Sequence, residues 1–300
     1  MDRISRSWRL MKQSYLVLMQ DKELMILPVL SGICVLLVSA TFVMGAVTFG
    51  GEDLLGSDEA AIERSTPDAE IGVGAAEGEE EPSWQLSLVM FGWYVVVYTV
   101  GLFFQAAIVA GASERLAGGD PTLRSALGAA FRRIGPIILW GLVAATVGMI
   151  IRSIQERSGL VGRIVMAIVG VVWSLATFFM VPVLVLEDHG VGESFKKSWG
   201  TFKATWGETV VGNLGLGLMS FLMMLPVILI AIFLATQEFM VAAVIVGVVG
   251  IALLSIFFSA LQGVWVASLY RYATVGETPS GFDADLFAAA FRQKKKKDRS

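Results

Sequence analysis

Cysteine and histidine are nearly missing from this sequence, each occurring once, as Cys34 and His189. A single cysteine forbids an intrachain disulfide and leaves the redox compartment unreadable. One histidine, with no second histidine or cysteine to join it, argues against a zinc site of the usual nitrogen and sulfur kind. It also assembles no Ser/His/Asp set, and no phosphate loop or dinucleotide fingerprint opens a helix after a strand, so neither an enzyme nor a cofactor is expected. Charge is the other shortage. Only 16% of residues are charged, against 55% hydrophobic and a mean hydropathy of +0.71, where soluble domains carry about 25% charged residues. A soluble chain of 300 residues would have to bury nearly all that apolar surface, whereas lipid can cover it.

What fills the chain instead is six apolar runs, at 24–49, 86–112, 134–151, 160–186, 209–235 and 240–269. Each is close to or beyond the ~20 residues that cross about 30 Å of hydrocarbon as a helix. The expected fold class is therefore all-α, a polytopic membrane protein with one six-helix domain over 1–272 and a polar tail at 273–300. The first run could be read as a signal peptide, but its 26 residues far exceed a signal core of about 7–15, and it is expected to be retained.

Residues 51–83 hold eleven acidic residues and one basic, a net −10, so the rest of the chain carries +7. Few large apolar residues occur there, which predicts a disordered loop. Glu79, Glu80 and Glu81 read as a solvated tract rather than a calcium site. Lys and Arg number 19 on the segments facing one side of the six spans and 4 on the other. The positive-inside rule then makes both termini cytoplasmic and the acidic loop external.

Between the runs lie short segments of a different kind. In 193–206, Phe195, Trp199, Phe202 and Trp206 recur at helical spacing, with Lys196, Lys197 and Lys203 off that stripe. Such a stretch is too charged to span and too aromatic to float, so it belongs at the membrane interface or against a partner. Near the N-terminus, Ile4, Trp8, Met11, Tyr15 and Leu18 make a second stripe, and 6–15 lies over 197–206 with the basic residue, Ser, Trp, large apolar residue, Lys and final aromatic corresponding. Internal duplication and chance similarity of two amphipathic helices both fit. Leu123, Leu127, Ala130 and Ile134 form a weaker third stripe. The expected plan is three parallel hairpins, each preceded by an inner-leaflet amphipathic helix, unlike the inverted repeats of many transporters. Phe282 and Leu286 hint at one more short helix, and Lys294, Lys295, Lys296 and Lys297 would meet lipid headgroups.

No ionisable residue falls near the middle of a run. Gln105, Asn213 and Gln262 are the main polar candidates for interhelical contacts or a polar pathway. Gly141, Gly148, Gly212, Gly215, Gly217, Gly247 and Gly250 suit close helix packing, and Pro226 suits a kink. Trp84 and Trp93 read as interface anchors, and His189 beside Asp188 as a solvated pair. The function expected is a non-enzymatic scaffold, assembly or lipid-interacting protein, with membrane lipids and a membrane-protein partner or second copy as partners, and no nucleic acid. The alternative is a permease or the membrane subunit of a transport or export system.

Ser7-Trp8, Ser14, Val17-Leu18, Asp21-Lys22-Glu23-Leu24 and Pro28 together resemble the opening of an uncharacterised family of six-span prokaryotic membrane proteins. Pro182, the stretch 185–188, Ser194 and Ser198-Trp199 resemble its second signature. The resemblance implies the six-span fold and a prokaryotic cytoplasmic membrane, and carries no activity. The linker-and-hairpin pattern is also similar, more distantly, to the membrane portion fused to some glycerophosphodiester phosphodiesterases, whose catalytic portion has no counterpart in this sequence.

Overall fold

The computed structural model describes residues 3–55 and 84–276. The greater part of the acidic segment, the stretch around Phe282 and Leu286, and Lys294 to Lys297 lie outside the described residues. Within them the chain is helical and has no strand: α1 (Arg3–Gln20), a 3-10 turn (Lys22–Met25), α2 (Ile26–Leu55), α3 (Trp84–Leu116), α4 (Leu123–Arg132), α5 (Ile134–Arg157), α6 (Leu160–Ala176), α7 (Met180–Leu186), α8 (Val191–Thr236) and α9 (Met240–Val275). Six segments are long and apolar enough to cross a membrane: Lys22–Gly45, Leu88–Leu116, Ile134–Arg157, Leu160–Leu186, Gly212–Thr236 and Met240–Val275.

Two of these depart from simple rods for local reasons. The fourth is broken at 177–179, between α6 and α7. Pro182 is the third residue of α7, and in a continuous helix its ring would strike the carbonyl of Phe178. The break frees main-chain groups, and Ser198 of α8 meets them: its hydroxyl donates to the Ala176 carbonyl at 2.7 Å and accepts the Phe179 N–H at 3.1 Å. The second departure is in α8, which joins the expected interfacial stretch to the fifth span in one helix bent at Thr205 (φ −121°, ψ 16°). The Thr205 hydroxyl bonds back to the Thr201 carbonyl at 2.9 Å, a pattern that bends helices. Pro226 lies further along the same helix with helical backbone angles.

Packing is concentrated at one end of the molecule. The second half of α3, from Leu102 to Leu116, is buried against α2, α4, α5, α7 and α9. Its alanines and Gly111 let neighbours approach: a Cβ on Gly111 would overlap the side chain of Leu24. From α9, Leu261 to Tyr270 close the same core, together with Val17 and Leu18 of α1 and Phe179 to Leu184 around α7. Toward the other end the helices remain in pairs, α2 on α3, α5 on α6 and α8 on α9, and large apolar side chains such as Leu36, Val43, Ile168, Phe221 and Phe233 are exposed. Half of the apolar window of the α3 span is buried and none of the α8 span.

Candidate functional site

The polar groups of the packed end form two junctions. At the first, α7 stops at Leu186 and α8 starts at Val191, and residues 187–190 turn between them. Arg133, at the joint of α4 and α5, reaches over this turn. Its Nε donates to the Leu184 carbonyl at 2.8 Å and Nη2 to the His189 carbonyl at 2.6 Å, and Nη1 meets the Asp188 carboxylate. A cation bonded to the last carbonyls of a helix is favoured by their partial negative charge. Asp188 is 99% exposed, so its ion pair adds little, and the two main-chain bonds do the positioning.

Glu187 is the centre of that junction. It accepts a hydrogen bond from the Tyr270 hydroxyl of α9, one from Lys197 Nζ of α8 at 2.5 Å, and lies 3.0 Å from His189 Nε2. The other ring nitrogen of His189 is 3.6 Å from Glu193. Burial pushes the Glu187 carboxyl up, but the hydrogen bonds from Lys197 and Tyr270 and the charges of Lys197 and His189 together hold it below the usual glutamate range. One carboxylate thereby ties the α7–α8 turn to both helices of the last pair.

The second junction gathers the turn after α1, the end of α3 and the start of α4. Asp21 is 7% exposed and both its oxygens accept from the Arg115 guanidinium. Arg115 Nη2 also donates to Asp120 at 2.8 Å. Glu23 accepts the Leu123 N–H at 2.8 Å, and Ser125 donates to Glu114 at 2.8 Å while closing a capping box with Thr122. Helix α4 therefore begins with its orphan N–H groups answered both locally and from α1's turn.

The aromatic stripe of 193–206 divides between two faces. Phe202 is buried, and Phe195 is half-buried with its ring 5.8 Å from that of Trp173 on α6. They continue a buried line through Ser198, Thr205, Thr209, Gly212 and Leu216. Trp199 is half-buried, stacked on Phe202 at 6.1 Å, and Trp206 is 57% exposed. On α1, Tyr15 is exposed on one side and lies 6.0 Å from Phe257 of α9. Trp8 and Met11 belong to α1 by backbone, and their side chains lie outside the described set. Gln105 is half-buried on α3, while Asn213 and Gln262 are exposed on α8 and α9. Trp93 donates its indole N–H to Ser39 at 3.1 Å, linking α2 and α3. His189, expected as a solvated partner of Asp188, faces Glu187 and Glu193 instead.

Sequence reasoning passes over Glu187, Lys197 and Tyr270 as partners, because the last lies 83 residues from the first. Chemically, the two junctions pair or hydrogen-bond nearly every charge they withdraw from solvent, which suits them to joining helices.

Over residues 85–282 the chain matches the model of a family described as a family of unknown function (DUF6159). No protein of curated function and no solved structure matches it. The matched range includes the stretch from Pro182 to Trp199 and leaves out the one from Ser7 to Pro28.

Proposed function

The chain belongs to this family of unknown function, and from that premise we propose that it is a non-enzymatic scaffold of a prokaryotic cytoplasmic membrane, organising lipids or a membrane-protein partner. Its three helix pairs, α2 with α3, α5 with α6 and α8 with α9, are hairpins of parallel orientation. Helices α1 and α4 and the first part of α8 introduce them from the inner leaflet. Both termini are cytoplasmic, in keeping with the 19 to 4 distribution of Lys and Arg.

The observation that carries the proposal is the polarity of the packing. Glu187 and Asp21 lock the helix pairs together at one end through Lys197, Tyr270 and Arg115, and the pairs stand apart toward the other. A body anchored in this way offers a fixed inner face and lipid-facing pairs. A permease has less support, since of its polar candidates Asn213 and Gln262 are exposed and Gln105 is half-buried.

The test is recovery of partners from native membranes in mild detergent, comparing the wild type with Trp199→Ala/Trp206→Ala. The scaffold reading expects a stable co-purifying membrane protein, or a defined homo-oligomer, that is lost or reduced several-fold in the double variant. Identical recovery from both proteins, or substrate flux in reconstituted vesicles that stops on substitution of Gln105 or Gln262, overturns it.

A further inference from the structure

We propose that the outward flank of α8, formed by Lys196, Trp199, Lys203 and Trp206, docks the headgroup of an anionic phospholipid. This deepens the reading above and rests on it, since it requires the packed end to lie at the membrane surface.

These four residues stand at i, i+3, i+7 and i+10, which keeps them on one side of a helix. They lie beside the inward line of Phe195, Ser198, Phe202 and Thr205; Trp199 is half-buried against the core and the other three face outward. Lys196 and Lys203 are exposed, Trp206 is more than half exposed, and Lys203 Nζ sits 5.3 Å from the centre of the Trp199 ring. The third lysine, Lys197, is on the opposite flank and is committed to Glu187 at 2.5 Å. The acidic neighbour Glu193 leans toward His189 at 3.6 Å.

Three features select the occupant. Two lysines rooted about 10 Å apart along the helix axis complement the negatively charged phosphate of a headgroup. Indole rings with N–H donors favour the boundary where apolar chains meet polar ester and phosphate oxygens. The fifth span opens at Gly212, about 9 Å past Trp206 along the helix, so the flank sits beside the level where acyl chains begin. A zwitterionic headgroup offers no net charge to the two lysines, and a soluble acidic protein would leave the indoles without hydrocarbon.

The experiment uses the full chain reconstituted in phosphatidylcholine vesicles with trace spin-labelled phosphatidylglycerol or phosphatidylcholine, and reads the motionally restricted fraction of each label. The wild type is expected to prefer phosphatidylglycerol, and Lys196→Gln/Lys203→Gln to reduce that preference by about fivefold or more. Lys196→Arg/Lys203→Arg keeps the preference, as does Lys12→Gln/Lys22→Gln, which removes two exposed lysines near α1. Should the glutamine pair at 196 and 203 fail to reconstitute, Trp206→Ala, which keeps every charge, is expected to weaken the preference by itself. A preference unchanged in the α8 variants, or lost equally on substituting Lys12 and Lys22, overturns the proposed dock. Restricted lipid without any headgroup preference overturns this inference alone, whereas no restricted lipid at all overturns the membrane reading with it.

Discussion

Glu187 is where a single side chain has the widest reach, since three elements meet on its carboxylate. Its folded-state pKa lies below the ordinary glutamate value of 4.5. A carboxyl depressed in the folded state contributes stability that is fully present above its unfolded value and is lost as pH falls through the folded one. The wild type in detergent is therefore expected to hold its thermal midpoint from neutral pH to about pH 5 and to lose it below. Glu187→Gln should start from a lower midpoint at pH 7 and miss that part of the acid loss, so that the two proteins converge in acid. A constant gap between them at all pH values would mean that the carboxylate charge is irrelevant to the junction. None of this is legible from spacing alone. Glu187 reads as an ordinary loop carboxylate, because its partners Lys197 and Tyr270 are brought to it by the packing of α8 and α9 and by nothing local in sequence.

At the scale of the helix, periodicity reveals that 193–206 has faces but not which face goes where. Four rings within one stripe look alike on a helical projection, yet Phe195 and Phe202 turn toward α6 and the core while Trp206 stays exposed. The small residues separate them. Ser198, Thr205, Thr209 and Gly212 mark the side where α8 meets other helices closely, and this signal is available in the sequence. Glycine illustrates it. A Cβ on Gly212 would overlap the indole of Trp265 on α9, whereas one on Gly217 meets nothing within 4 Å. Gly212→Ala is thus expected to cost about 1–3 kcal/mol through overpacking, measured as a lower thermal or denaturant midpoint in micelles. Gly217→Ala, in the same helix, should be neutral or stabilise by up to ~1 kcal/mol by restricting the unfolded chain. Equal effects at both positions would contradict the packing of α8 on α9 at this point.

For the whole molecule, the six spans are legible because a helix that crosses hydrocarbon needs a long apolar run, and the runs at 160–186 and 240–269 open where the corresponding spans do. Which end of the bundle packs is not legible from hydropathy, because lipid and protein interior are almost equally apolar and both halves of each span carry Leu, Ile and Val. The asymmetry lies in alanine and glycine, dense at Ala106, Ala107, Ala110, Gly111 and Ala112 and at Ala260, Gly263 and Ala267. It follows that sensitivity to truncation should be polarised along the membrane normal. Leu→Ala at the packed end, at Leu27, Leu261 or Leu269, each no more than 1% exposed, removes protein–protein contacts and leaves a cavity, at about 2–5 kcal/mol apiece. Leu→Ala at Leu222 or Leu229, more than half exposed on α8, exchanges a lipid contact for another and should cost under about 0.5 kcal/mol. A stability scan of all leucines in lipid nanodiscs would read the gradient directly. A flat profile would require the outer halves of the helix pairs to pack as tightly as the inner ones, or a second copy to cover them.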